Sequence, residues 1–178
     1  MFEGIRERIK QYRIRHASFQ DRVIMLRKLG VTIGNGCEIY PEAVWGSEPY
    51  LIRIGNNVRI TNGVKFVTHD GGLWTLRRMG LVDENACFYE PISIGDNTHI
   101  GWDTIIMPGV QIGKNCIIGC GAVVTKSIPD NSIAVGVPAR VIKNIQEYAE
   151  QHQESSVNVL QLSLKDREKY LRELFADK

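Results

Sequence analysis

No stretch of about 18 uncharged apolar residues occurs in this chain, which excludes a membrane-spanning helix. The opening run, MFEGIRERIKQYRIR, has no apolar signal core, so a cytoplasmic location is expected. The four cysteines (Cys37, Cys87, Cys116 and Cys120) form no CxxC pair and no dense framework, and read as reduced thiols. A net charge of +2 over 178 residues excludes a supercharged nucleic-acid binder. With 43% hydrophobic and 24% charged residues, the chain is not disordered either. Aromatic residues are scarce at 8%, yet there are 17 glycines, and their positions are informative.

Both ends read as helix. Phe2, Ile5, Ile9 and Tyr12 share one face, and Phe19, Val23, Leu26 and Leu29 repeat the pattern after a break near His16–Ser18, with Gly30 as the stop. Residues 1–30 hold eight Lys/Arg against three Asp/Glu. Such a basic amphipathic helix suits either membrane-surface contact, peripheral to the inner face of the membrane, or a cover over exposed strand edges, and the cover is favoured. Beyond residue 144, Ile145, Tyr148 and Ala149 suggest one short helix. Leu164, Leu171, Leu174 and Phe175 suggest another, with Ser163 as its cap.

The middle repeats with a period of six. Ile94, Ile100, Ile106, Ile112, Ile118 and Val124 follow one another without a gap. Two positions before them stand Ile92, Thr98, Thr104, Val110, Cys116 and Ala122. Ile33, Ile39 and Trp45 form an earlier triplet, Ile54, Ile60 and Phe66 another, and Val135 and Val141 extend the series. Neither a helix nor a simple strand has this period. A short strand plus a turn does, and three such units close one triangular coil of 18 residues, with the aliphatic residue inward and Gly, Asn or Asp at corners needing φ > 0.

The runs IGDNTHIGWDTIIMPGVQIGKNCIIGCGAVVTKSIPDNSIAVGVPARVIK and VTIGNGCEIYP resemble the hexapeptide-repeat acyltransferases, most of all the galactoside, maltose and xenobiotic acetyltransferase branch with its capsule and lipopolysaccharide O-acetyltransferases. The resemblance spans residues 31–143. It implies an all-β solenoid, a left-handed parallel β-helix, flanked by helical segments 1–30 and 144–178. It also implies a homotrimer with acetyl-CoA bound between neighbouring coils of adjacent subunits.

After Phe66 the hexads stop, and they resume at Ile92. The resemblance makes residues 70–91 a projecting loop and puts the catalytic histidine near its base, at His69. An imidazole that titrates near neutrality suits removal of a hydroxyl proton, with backbone N–H groups for the oxyanion. Asp70 and Glu90 are the candidates to orient His69. Trp74 suits a sugar face, and Arg77 or Arg78 suits an anionic group on the acceptor.

Matching the family pattern position by position gives Trp102, Cys120, Thr125, Lys126, Arg140 and Lys143 for acetyl-CoA, three of them cations suited to its phosphates. His99 falls where the galactoside enzymes carry a tryptophan bordering the active site, so it joins Asp70, Trp74 and Arg77 as a candidate acceptor residue. The zinc-binding carbonic anhydrases of the same coil need H-x4-H, but Thr104 follows His99 at that spacing, and no metal is expected.

The expected activity is acetyl-CoA-dependent O-acetylation of a sugar or surface polysaccharide, by direct attack in a ternary complex with His69 as general base. The alternatives are N-acetylation of a nucleotide-linked amino sugar and a non-catalytic β-helix scaffold. The expected partners are further copies of the chain and a saccharide acceptor, without nucleic acid.

Overall fold

The computed structural model describes residues 12–176. The expected positions Phe2, Ile5 and Ile9 lie outside them. Among the described residues thirteen short strands fall into three sheets. Sheet A holds β1 (Thr32–Ile33), β3 (Ile52–Ile54), β6 (Ile92–Ile94) and β9 (Gln111–Ile112). Sheet B holds β2 (Glu38–Ile39), β4 (Arg59–Ile60), β7 (His99–Ile100), β10 (Ile117–Ile118), β12 (Ser132–Val135) and β13 (Arg140–Asn144). Sheet C holds β5 (Lys65–Phe66), β8 (Ile105–Ile106) and β11 (Val123–Val124). From β3 to β12 each strand pairs in parallel with its equivalent one coil earlier in the same sheet, about 4.8 Å away. This is a three-sided stack of coils.

The hexad residues make its core. Ile94, Ile100, Ile106, Ile112, Ile118 and Val124 are all buried, as are the smaller residues two positions before each. Thr98 and Thr104 are buried polar members whose hydroxyls donate to the carbonyls of Gly113 (2.9 Å) and Gly101 (2.7 Å), so their inward placement leaves no donor unpaired. Burial raises the Cys37 and Cys116 thiols, and all four cysteines are free. At one corner Asn57, Asn97, Asn115 and Asn131 take φ of 53°, 54°, 56° and 59°. The first three each donate their amide to the next along the column, at 3.2, 3.2 and 2.8 Å. Asparagine serves here because it tolerates the left-handed region and stacks its own hydrogen bonds.

Departures from the period are local. Ile94 pairs with Ile112, an 18-residue coil. Ile33 pairs with Ile54, 21 residues on, so three extra residues enter before η1 (Pro49–Leu51). Ile54 pairs with Ile94, 40 residues on, which makes room for the loop. Beyond Val124 the coil tightens: Ile118 pairs with Ala134, 16 residues on. This corrects the expected extension through Val135 and Val141. Ala134 takes the inward place. After Gly136, at φ +95°, the chain reverses into β13, which runs antiparallel to β12 and leaves Val141 47% exposed.

Residues 12–16 form the described part of helix α1, and α2 spans Phe19–Lys28, capped by Ser18. Arg22 is buried, and its guanidinium donates to the carbonyls of Ile14 (2.8 Å), Ile39 (2.5 Å), Arg15 (3.2 Å) and Ala17 (2.5 Å). Arg27 does the same for Ile33 and Gly34. Two arginines of the basic segment thus satisfy carbonyls of the first coil, the work of a cover over exposed strand edges.

A second compact unit begins at Glu147. Its helix α5 (Leu164–Leu174) starts at Ser163, whose hydroxyl accepts from the Asp166 N–H, and α4 (Ile145–Gln153) precedes it in sequence. The remaining helix, α3 (Leu73–Arg78), lies in the projecting loop. No helix among the described residues is long and apolar enough to cross a membrane.

Candidate active site

The loop closes on itself at its base. Asp70 N–H donates to the Phe88 carbonyl (3.1 Å) and Glu90 N–H to the Thr68 carbonyl (3.0 Å), which sets His69 directly opposite Tyr89 in an antiparallel bridge. This is the non-hydrogen-bonded kind of pair, whose side chains approach most closely. The two rings stand 5.8 Å apart at 61°.

The partner of His69 is Glu48. Its Oε2 lies 3.0 Å from Nδ1 of His69 and accepts the hydroxyl of buried Thr68 at 2.7 Å. Glu48 is supplied by the three-residue insertion ahead of η1. It follows Gly46, whose φ of +64° brings the backbone so close that a Cβ there would meet the Phe66 carbonyl at 3.2 Å. Burial pushes the Glu48 carboxyl upward, but hydrogen bonds from Ser47, Thr68 and His69 and the charge of His69 outweigh it, bringing the carboxyl to about 2. Glu48 is therefore ionised at neutral pH. A carboxylate at Nδ1 holds the proton there and leaves the Nε2 lone pair free to accept another. His69 is 45% exposed and Glu48 11%, so the imidazole reaches solvent while its partner does not.

Neither expected orienting residue takes that place. Asp70 Oδ1 accepts the Gly72 N–H at 2.7 Å and shapes the loop's turn. Glu90 lies across Gly109 of the next coil, so close that a Cβ there would collide with its Oε2. The sequence carries a signal for Glu48: Trp45 and Ile54 are nine positions apart instead of six, and the glutamate falls in that surplus.

Among the other candidates, Arg77 is half-buried and turned back into its own loop, with Nη1 donating to the Ala86 carbonyl and to Cys87 Sγ (3.8 Å). It braces the returning limb. Trp74 is exposed, with the Arg78 guanidinium 5.5 Å from its ring centre. His99 sits on sheet B between Arg59 and Ile117, away from the loop base. Burial first, then the Arg59 cation, lowers its pKa.

The six coenzyme candidates are spread over the last coils. Trp102 and Cys120 follow the adjacent strands β7 and β10, and the Gly121 N–H donates to the Trp102 carbonyl at 2.6 Å. Thr125 and Lys126 follow β11, in the same sheet as the strand that leads into His69. Arg140 and Lys143 lie on β13. Trp102, Cys120, Thr125, Lys126 and Arg140 are exposed. Among the described residues no group of three His, Cys, Asp or Glu is gathered to hold a metal.

Residues 91–126 match a family described as the hexapeptide repeat of succinyl-transferase. Protein CapG of Staphylococcus aureus is 45% identical over 154 residues, covering 85% of this chain and 88% of that protein. The galactoside O-acetyltransferase of Escherichia coli K12 is 43% identical over 101 residues, 56% of this chain and 47% of its own length, so the chain spans about half of that relative. Among solved structures, a galactoside acetyltransferase in complex with coenzyme A superposes with a TM-score of 0.58 at 28% identity, covering 82% of each chain.

Proposed function

The chain belongs to the hexapeptide-repeat acetyltransferases, and from that premise we propose that it transfers the acetyl group of acetyl-CoA to a hydroxyl of a sugar or surface polysaccharide. The observation that carries this reading is the Glu48–His69 pair at the base of the loop. His69 Nε2 takes the hydroxyl proton as the sugar oxygen bonds to the acetyl carbon and the carbon–sulfur bond breaks. The departing thiolate receives that proton from His69. Glu48 keeps the imidazole in the correct tautomer and offsets the positive charge it briefly carries. Such general-base action contributes roughly 10²–10⁴-fold.

The coils wind left-handed in this reading, and the active unit is a homotrimer. His69 and His99 stand on different parts of one chain, so a second copy completes each site by bringing its own sheet B face to the loop base. Trp102, the Cys120 backbone, Thr125, Lys126, Arg140 and Lys143 bind acetyl-CoA, with the cations at its phosphates.

The test is thiol release from acetyl-CoA by the full chain against neutral sugars, acidic sugars and nucleotide-linked amino sugars. Succinyl-CoA serves as a second donor, because the matched repeat carries that name. At least one saccharide is expected to be acetylated on oxygen. His69→Ala is expected to lose about 10²-fold or more in kcat while acetyl-CoA still binds. Near-normal turnover in that variant, or reaction only at an amine, overturns the proposal.

A further inference from the structure

Tyr89 stands directly across the bridge from His69, its ring 5.8 Å from the imidazole at 61°. It is 50% exposed, and Tyr50, two residues after Glu48 in η1, is 63% exposed and close enough to act on the Tyr89 phenol. Neither ring contributes to the core. Because Glu48 occupies Nδ1 of His69, the atom left for chemistry is Nε2. The limb that carries Tyr89 is held in place, since Arg77 reaches from α3 to the Ala86 carbonyl and Cys87 Sγ just ahead of it.

We infer that Tyr89 is an acceptor-positioning residue whose ring packs against the C–H face of a pyranose, with Tyr50 completing the aromatic wall, so that one sugar hydroxyl meets His69 Nε2. This rests on the reading of His69 as the base. A pyranose presents C–H groups on one face and hydroxyls around its rim, so it needs an apolar plane beside polar groups. A tyrosine with one free face supplies that plane at little conformational cost. Its hydroxyl is paired with Cys87: the charge and hydrogen bond of Cys87, then burial, then the charges of Glu48 and Tyr50, raise the phenol's pKa. Arg77 acts through this limb, as a brace.

The experiment uses the full chain with methyl galactoside, glucoside, N-acetylglucosaminide and glucuronide as probes. Tyr89→Ala is expected to raise the acceptor KM about tenfold, with the acetyl-CoA KM and the melting temperature unchanged. Tyr89→Phe, which keeps the ring, is expected to restore acceptor KM to within about threefold of the parent. In saturation-transfer NMR with coenzyme A present, a bound pyranoside should receive most signal at its C–H face. That signal should vanish in Tyr89→Ala and persist in His69→Ala. If alanine unfolds the loop, Tyr89→Leu retains apolar bulk without a plane and is expected to behave like alanine in the KM split.

An unchanged acceptor KM in Tyr89→Ala, a Phe variant as impaired as Ala, or no pyranoside bound by the parent each overturns the inference. Sugar turnover that survives in His69→Ala overturns the base reading alone, because the Tyr89 effect on KM is measured separately.

Discussion

Glu48 and His69 are 21 residues apart in sequence, and their side chains meet at 3.0 Å. The contact joins a three-residue insertion in one coil to the residue where the next coil leaves its path. Two irregularities of the repeat thus build one site, while the regular coils hold them in register.

Replacing Glu48 by Gln keeps the shape but removes the charge, and the amide can present either end to Nδ1. The expected outcome is a drop in kcat of about 10² with acetyl-CoA affinity unchanged, measured by steady-state kinetics and direct coenzyme titration. A kcat equal to that of the parent would show that His69 orients itself.

The Glu48 carboxyl is held at about 2 against an ordinary 4.5, so the folded state binds its proton more weakly than the unfolded state. Its contribution is therefore fully present above about 4.5 and disappears as the pH falls through about 2. The difference in melting temperature between parent and Glu48→Gln should be constant from neutral pH down to about 5 and shrink below that. Thermal melts across that range check it, and a gap that widens in acid contradicts the assignment.

Arg22→Ala leaves the carbonyl of Ile39 in the first coil, and those of Ile14, Arg15 and Ala17 ahead of α2, without their donor. A loss of about 3 kcal/mol in stability is expected, because buried acceptors lose their partners together. Arg22→Lys should recover only part, since an ammonium cannot fork toward four oxygens. Chemical denaturation measures both. If the basic segment served a membrane instead, Arg22→Ala would weaken binding to anionic vesicles and leave stability intact.

Much of the fold is legible in the spacing. The inward positions follow from a period of six because each coil repeats the same local geometry, and the cap residues Ser18 and Ser163 sit where helix chemistry expects them. The site is less legible. Family resemblance marks His69, whereas its partner lies one coil away, and nothing adjacent in sequence marks Glu48 except the lengthened gap after Trp45. Asp70 is nearer in sequence, but its carboxylate is used by Gly72 in its own turn. Val141 keeps the period while the coil has already tightened by two residues, which no single side chain reports.

The 40-residue register from β3 to β6 has its own consequence. Ile54 meets Ile94 and Phe66 meets Ile106 as though nothing lay between them. Everything from Asp70 to Phe88 is therefore a cassette hung from a two-rung clasp, and the stack beneath bears its weight without being reshaped by it. Length and sequence can change inside that cassette, while the clasp keeps the same histidine facing the same glutamate.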